Sequence, residues 1–254
     1  TGYTGYSAFT GYSVYGSTGS TGDTGPTGTS GCRTAITDTF TVAGGVGDNT
    51  LGYSYDGINW TASTSGNSVF TTQCLTVAWN GSLWVAGGSG TNQVAYSSNG
   101  INWTASTSGN AIFTGAGGAV AWNGTLWVAG GYGTNQLAYS YNGINWTAST
   151  SGNVILSSNC SAVAWNGYLW VAGGQGDNRL AYSYNGITWT GSASGNAILT
   201  YACGAVAWNG SLWVAGGSGT NQLAYSSNGI TWTTSASGNA LFTGNVATVA
   251  WNGS

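Results

Sequence analysis

A period constrains this chain more than any other feature. Trp79, Trp122, Trp165, Trp208 and Trp251 stand 43 residues apart, and so do Trp60, Trp103, Trp146, Trp189 and Trp232. A third ladder, Trp84, Trp127, Trp170 and Trp213, keeps the same spacing. A repeat of this length that never slips implies one supersecondary unit, copied and stacked so that each copy buries its apolar face on the next. Counted back from Ser254, the copies span 40–82, 83–125, 126–168, 169–211 and 212–254.

Each copy reads as four short strands. A run such as "AVAWNG" turns through Asn-Gly into "LWVAGG", and "LAYSSNG" turns through a second Asn-Gly into "INWTAS". Asn-Gly is the pair that best accepts positive φ in a two-residue hairpin turn. The Gly-rich "GGSGTNQ" links the second strand to the third, and a stretch such as "TSGNAIFTGAGG" crosses to the next copy. Four strands in about 40–45 residues is the size of a propeller blade. The first strand carries Val77-Ala78, Val120-Ala121, Val163-Ala164, Val206-Ala207 and Val249-Ala250, small enough for a crowded central axis. The large indoles then fill the wider space between blades, which makes core packing their first role. The fold class is therefore all-β, a five-bladed β-propeller.

The repeat "VAWNGSLWVAGG…AYSSNGINW" resembles a kelch motif, with Gly87-Gly88, then Tyr96, then Trp103 seven positions on. "YSYDGINW", Tyr53 to Trp60, also resembles a shortened Asp-box, the hairpin signature of sialidase-like propellers. It is one residue short, and four of the five copies have Asn instead of Asp. The resemblance covers 40–254 and implies a propeller; propellers host many activities.

Residues 1–31 differ in kind, and the propeller is expected over 32–254. From Gly16 to Gly31 glycine recurs at every third position with one proline, Pro26. This is the collagen period, and it resembles the Thr-rich collagen-like stalks of bacterial spore-surface and giant-virus proteins. Before it, Tyr3, Tyr6, Phe9, Tyr12 and Tyr15 alternate with small residues. Such a strip has faces to bury and no core of its own, so it reads as an assembly arm whose aromatics anchor in a neighbouring subunit.

The polar chemistry is sparse. The 254 residues include seven charged ones and neither Lys, Glu nor His. A Ser-His-Asp or Cys-His site cannot be built, and no C-x-x-C spacing suggests a metal. Neither a metal nor a cofactor is expected. There is no basic patch for nucleic acid and no apolar run of the roughly 18 residues that span a bilayer. Two carboxylates suffice for a glycosidase, and Asp48 and Asp177 share one phase of the repeat. Thr fills that slot in the other three copies, which makes a turn residue the simpler reading.

Three cysteines, Cys74, Cys160 and Cys203, precede the ladder Trp by five residues, and Cys32 lies nearly in phase. Two disulfides, Cys32–Cys74 and Cys160–Cys203, are one expectation; free buried thiols are the other. Sequons occur at Asn59, Asn80, Asn102, Asn123, Asn145, Asn159, Asn209 and Asn252, mostly because the repeat contains "NWT" and "WNGS". The loops ending in Asn92-Gln93, Asn135-Gln136 and Asn221-Gln222 are polar enough to line shallow glycan sites, with a plain connecting loop as the alternative.

These readings give a non-enzymatic structural subunit of an extracellular or surface fibre, on a cell, spore or virion, partnered with itself through the arm as homopolymer or homotrimer. A stalked lectin or adhesin that binds cell-surface glycans is the second reading, and a glycosidase the third. The chain stops at "WNGS", and "TFTVAGG", Thr39 to Gly45, has the phase of the missing "LWVAGG", with Phe40 in the repeat Leu slot. Two segments, 34–38 and 247–252, compete for the strand that would close the first blade.

Overall fold

The computed structural model describes residues 39–251. Blade I holds β1 (Thr41–Gly44), β2 (Leu51–Ser54) and β3 (Trp60–Ala62), followed by helix α1 (Thr64–Val69). Blade II holds β4 (Gln73–Trp79), β5 (Trp84–Ser89), β6 (Val94–Ser97), β7 (Thr104–Ala105) and α2 (Thr107–Ile112). Blade III repeats this as β8 (Ala116–Trp122), β9 (Trp127–Tyr132), β10 (Leu137–Ser140), β11 (Thr147–Ala148) and α3 (Thr150–Ile155). Blade IV comprises β12 (Asn159–Trp165), β13 (Trp170–Gln175), β14 (Leu180–Ser183), β15 (Thr190–Gly191) and α4 (Ala193–Ile198). Blade V comprises β16 (Ala202–Trp208), β17 (Trp213–Ser218), β18 (Leu223–Ser226), β19 (Thr233–Thr234) and α5 (Ala236–Leu241).

Every blade is an antiparallel meander in chain order, and one pair, Asn159 with Tyr132, joins the sheets of blades III and IV. The innermost strand of each complete blade is bulged at the same place, between Cys74 and Thr76 in blade II. The innermost strands of blades II to V and residues 247–249 line a central cavity of about 250 Å³. Its lining is small, with Thr76, Gly118, Ser161 and Gly204 among the residues facing it, as the repeat's Val-Ala pairs suggested.

The core lies between blades. Between blades II and III, Val85, Val94 and Phe113 pack on Trp127, Ala129, Ala138 and Trp146. The same set recurs between blades III and IV and between IV and V. Phe113 and Trp127 are fully buried, and burial of such a side chain is worth about 1.5–3 kcal/mol. Phe40 does fill the slot of the repeat Leu. A Cβ on Gly100 would meet Phe40 and Val42, whereas one on Gly143 of the next blade would meet Leu83 and Val85. Gly143 also has φ +72°, so the turn needs glycine for both backbone and space.

The crossing stretch, which reads as a connector in the sequence, contains a one-and-a-half-turn helix in every copy. Ser106 is its N-cap in blade II, where its Oγ accepts from Gly109 N at 3.1 Å and donates to Ile144 O of blade III at 2.7 Å. Ser108 Oγ accepts from Trp146 N at 2.8 Å, a second link between the same two blades. Asn110 Oδ1 accepts from both Gln93 N and Val94 N at 2.8 Å, pinning the helix to its own sheet.

Blade I has three strands among the described residues. β1 has one hydrogen-bonded neighbour, β2, and residues 247–251 form no strand with it. The rival closing segment, 34–38, lies outside the described residues, as does the arm with Tyr3, Tyr6, Phe9, Tyr12 and Tyr15. No described helix is long and apolar enough to cross a membrane.

Candidate functional site

Successive antiparallel strands reverse direction, so the turn between strands one and two of a blade shares one end with the turn between three and four. At that end each innermost strand finishes in a tryptophan that meets the tryptophan opening the next strand. Ring centroids are 4.9 Å apart for Trp79–Trp84, 5.1 Å for Trp122–Trp127 and Trp165–Trp170, and 5.4 Å for Trp208–Trp213. Trp84, Trp127, Trp170 and Trp213 carry the interblade packing, while Trp79, Trp122, Trp165 and Trp208 stay partly open to solvent. The turns beyond them are held rigid by their own side chains. Asn166 Oδ1 accepts from Tyr168 N and Leu169 N, and Asn185 Oδ1 accepts from Ile187 N and Thr188 N.

Blade IV alone carries tyrosine on both of these turns. Tyr168 takes a position held by Ser82, Thr125 and Ser211 elsewhere, and Tyr184 one held by Ser98 and Ser227 in blades II and V. Their rings meet edge to face at 5.6 Å and 77°, and they remain 71% and 55% exposed. Tyr182 backs Tyr184 at 6.3 Å. Exposed aromatic rings on turns with fixed backbones form a preorganised stacking surface for a flat, weakly polar ligand. Repeat reasoning assigned the aromatics to the core and passed over these two. The available signal was Tyr168, which replaces the Ser or Thr of the other copies; Tyr184 has counterparts in Tyr55 and Tyr141.

Asp56 lies in the equivalent turn of blade I. Its carboxylate accepts from Ile58 N, Asn59 N, Asn59 Nδ2 and Ser54 Oγ. These bonds, those from Asn59 foremost, hold its pKa well below the usual carboxylate range.

The opposite end differs from the sequence expectation. Gln93, Gln136 and Gln222 are buried, and their Nε2 atoms donate to Gly90 O, Gly133 O and Gly219 O within their own loops. Asn92, Asn135 and Asn221 donate to Val69 O, Ile112 O and Ile198 O. Their side-chain amides are thus committed to the blades rather than turned outward as a lining. Asp48 and Asp177 are exposed in the corresponding loops of blades I and IV. Arg179, in the slot of Gln93, donates to the carbonyls of Leu199, Gly176, Asp177 and Asn196.

Cys74, Cys160 and Cys203 are free, buried thiols, which corrects the proposed Cys160–Cys203 bridge. Each sulfur is occupied across a blade interface: Cβ atoms built on Gly44, Gly130 and Gly173 would lie 2.7, 2.5 and 2.6 Å from the three sulfurs. Burial pushes the Cys74 and Cys203 thiols up to about 12, and raises that of Cys160 as well. Cys32 lies outside the described residues. Of the sequons, Asn59, Asn102 and Asn145 are exposed; Asn80, Asn123, Asn159 and Asn209 are half-buried, and Asn252 lies outside the described residues.

No protein-family model matches the chain, and no curated protein matches it. Solved structures do. A GH74 enzyme from Niastella koreensis aligns over 74% of this chain and 28% of its own, at 24% identity and a TM-score of 0.52. An ancestral GH74 enzyme aligns over 80% of this chain and 31% of its own, at 16% identity and a TM-score of 0.60. The extracellular domain of a putative one-component system from B. thetaiotaomicron aligns over 85% and 29%, at 14% identity and a TM-score of 0.59. The chain therefore spans about 30% of the length of these proteins, and the likeness is one of fold. It overturns the expectation of a non-enzymatic fibre subunit, because the first propeller-like arrays it brings up are those of GH74 enzymes.

Proposed function

We propose that this chain is a carbohydrate-binding propeller of five kelch-like blades, and that blade IV supplies its principal sugar site. The observation that carries the reading is the Tyr168–Tyr184 pair, 5.6 Å apart and open to solvent on rigid turns. The apolar C–H face of a pyranose stacks on such rings, while the phenol hydroxyls of the two tyrosines can meet its hydroxyls. Seven charged residues in the whole chain favour a neutral glycan over an acidic one. The likeness to GH74 glycoside hydrolases supports the same ligand class. An extracellular setting fits a glycan ligand and is part of the proposal. Affinity electrophoresis in gels containing soluble neutral polysaccharides tests it: retardation is expected, and its loss in Tyr168→Ala/Tyr184→Ala. Unretarded migration on every neutral polysaccharide would sink the reading.

The same likeness favours a second reading, hydrolysis of a glycan held at the opposite end of the blades from the tyrosine pair. The exposed carboxylates at equivalent loop positions, Asp48 and Asp177, are its acid and base candidates. Release of reducing ends that disappears in Asp48→Asn and Asp177→Asn would support it.

A further inference from the structure

Four blade interfaces are built alike, and the chain carries both halves of a fifth. In each interface the trailing side of one blade presents the residue after its helix, Phe70, Phe113, Leu156 or Leu199, all fully buried. The leading side of the next presents Trp103, Trp146, Trp189 or Trp232, at most 5% exposed. Blade V offers the same trailing side, yet Leu241 is 73% and Phe242 41% exposed. Blade I offers the same leading side, yet Trp60 is 48% exposed and Ile58 81%. Ala43, Gly52, Trp60 and Ala62 there line a cleft of about 460 Å³ at the positions that Ala86, Ala95, Trp103 and Ala105 occupy in blade II, where they are packed against blade I.

The strand edges match too. β1 lacks an inner partner among the described residues, and segment 245–250 has the phase of an innermost strand. That segment already sits where such a strand begins: Val246 N donates to Gly217 O at 2.9 Å, as Cys74 N does to Gly45 O. Residues 247–249 already line the central cavity.

We infer that residues 245–251 of this same chain form the innermost strand of blade I, and that α5 with Phe242 then covers Trp60. The register follows from blade II, where Val77 faces Ala86 and Trp79 faces Trp84. Shifted by the period, Val249 faces Ala43 and Trp251 faces Thr41. The helix links recur as well, from Ser235 Oγ to Ile58 O and from Trp60 N to Ser237 Oγ. The occupant is the chain itself because the segment is tethered beside the axis, where its effective concentration exceeds that of a second copy. Closure also removes two open edges.

This inference rests on the five-blade reading, and the two are separable. In the full chain, Ala43→Cys/Val249→Cys is oxidised mildly, and Val77→Cys/Ala86→Cys serves as the control for folding and chemistry. The expected result is a 43–249 disulfide within one chain, in a monomer by gel filtration, formed to the extent of the control. A 43–249 bond between two chains, or none where the control forms, overturns in-chain closure. Averaged particle images with a blade number other than five would instead overturn the blade count.

Discussion

Gly130 and Cys160 share one packing site across the interface of blades III and IV: a Cβ on Gly130 would lie 2.5 Å from the Cys160 sulfur and 2.8 Å from its carbonyl oxygen. Gly130→Ala is therefore expected to destabilise the chain by about 1–3 kcal/mol, lowering Tm by several degrees. Adding Cys160→Gly, which puts there the glycine that blade III carries at Gly117 and removes the facing sulfur, should recover part of that loss. Thermal unfolding of the three variants checks this, and an unchanged Tm in Gly130→Ala would contradict the packing.

The buried thiols give a pH prediction. Desolvation holds Cys74 and Cys203 near 12 in the folded chain, against an ordinary 9.0. The native state thus retains protons that the unfolded chain releases. Their contribution is fully present below pH 9 and falls as pH climbs from 9 towards 12, by about 1.4 kcal/mol per pH unit per thiol. Denaturant midpoints across that window should fall more steeply for the wild type than for Cys74→Ala/Cys203→Ala. A thiol reagent at pH 8 should leave all three buried sulfurs unmodified until the chain unfolds.

Loss of either exposed tyrosine should weaken glycan binding by about 1–2 kcal/mol, roughly 5- to 30-fold, without lowering Tm. Tyr168→Phe and Tyr184→Phe keep the stacking surface and should retain most of the affinity. Titration calorimetry with the polysaccharide found by gel retardation separates the two classes.

Asp56→Asn should leave Tm at pH 7 unchanged, since Asn99, Asn142, Asn185 and Asn228 make the same turn in the other blades. The Asp56 pKa is depressed in the fold, so its carboxylate supports the turn above the ordinary carboxylate range and loses that role as pH falls. Melting curves at acid pH should favour Asp56→Asn over the wild type, and at neutral pH should not distinguish them.

Much of the fold was written in spacing. The tryptophan ladders fixed the period, the Asn-Gly pairs placed both hairpins, and Phe40 found its Leu slot because phase, not residue identity, decides packing in a repeat. The helices were missed because "TSGNAI" is short and has no apolar periodicity; its helicity comes from the local Ser106 cap together with the Asn110 clamp onto the sheet, a tertiary contact. The site was less legible. Asn92 and Gln93 look solvent-facing in sequence, yet Gln93 closes the loop on itself and Asn92 ties it to Val69 at the end of α1. Tyr168 and Tyr184 look like two more members of an aromatic-rich composition, and their meaning lies in which turn they sit on.

The serine that caps each short helix also has a kinetic meaning. Ser106 closes its own helix and grips Ile144 of the following repeat, and Ser149 does the same with Ile187. No repeat reaches its full bonding until its successor has folded. Cooperativity in this chain therefore passes from neighbour to neighbour, like a row of clasps, and amide exchange should be fastest in the terminal repeats and slowest in blade III.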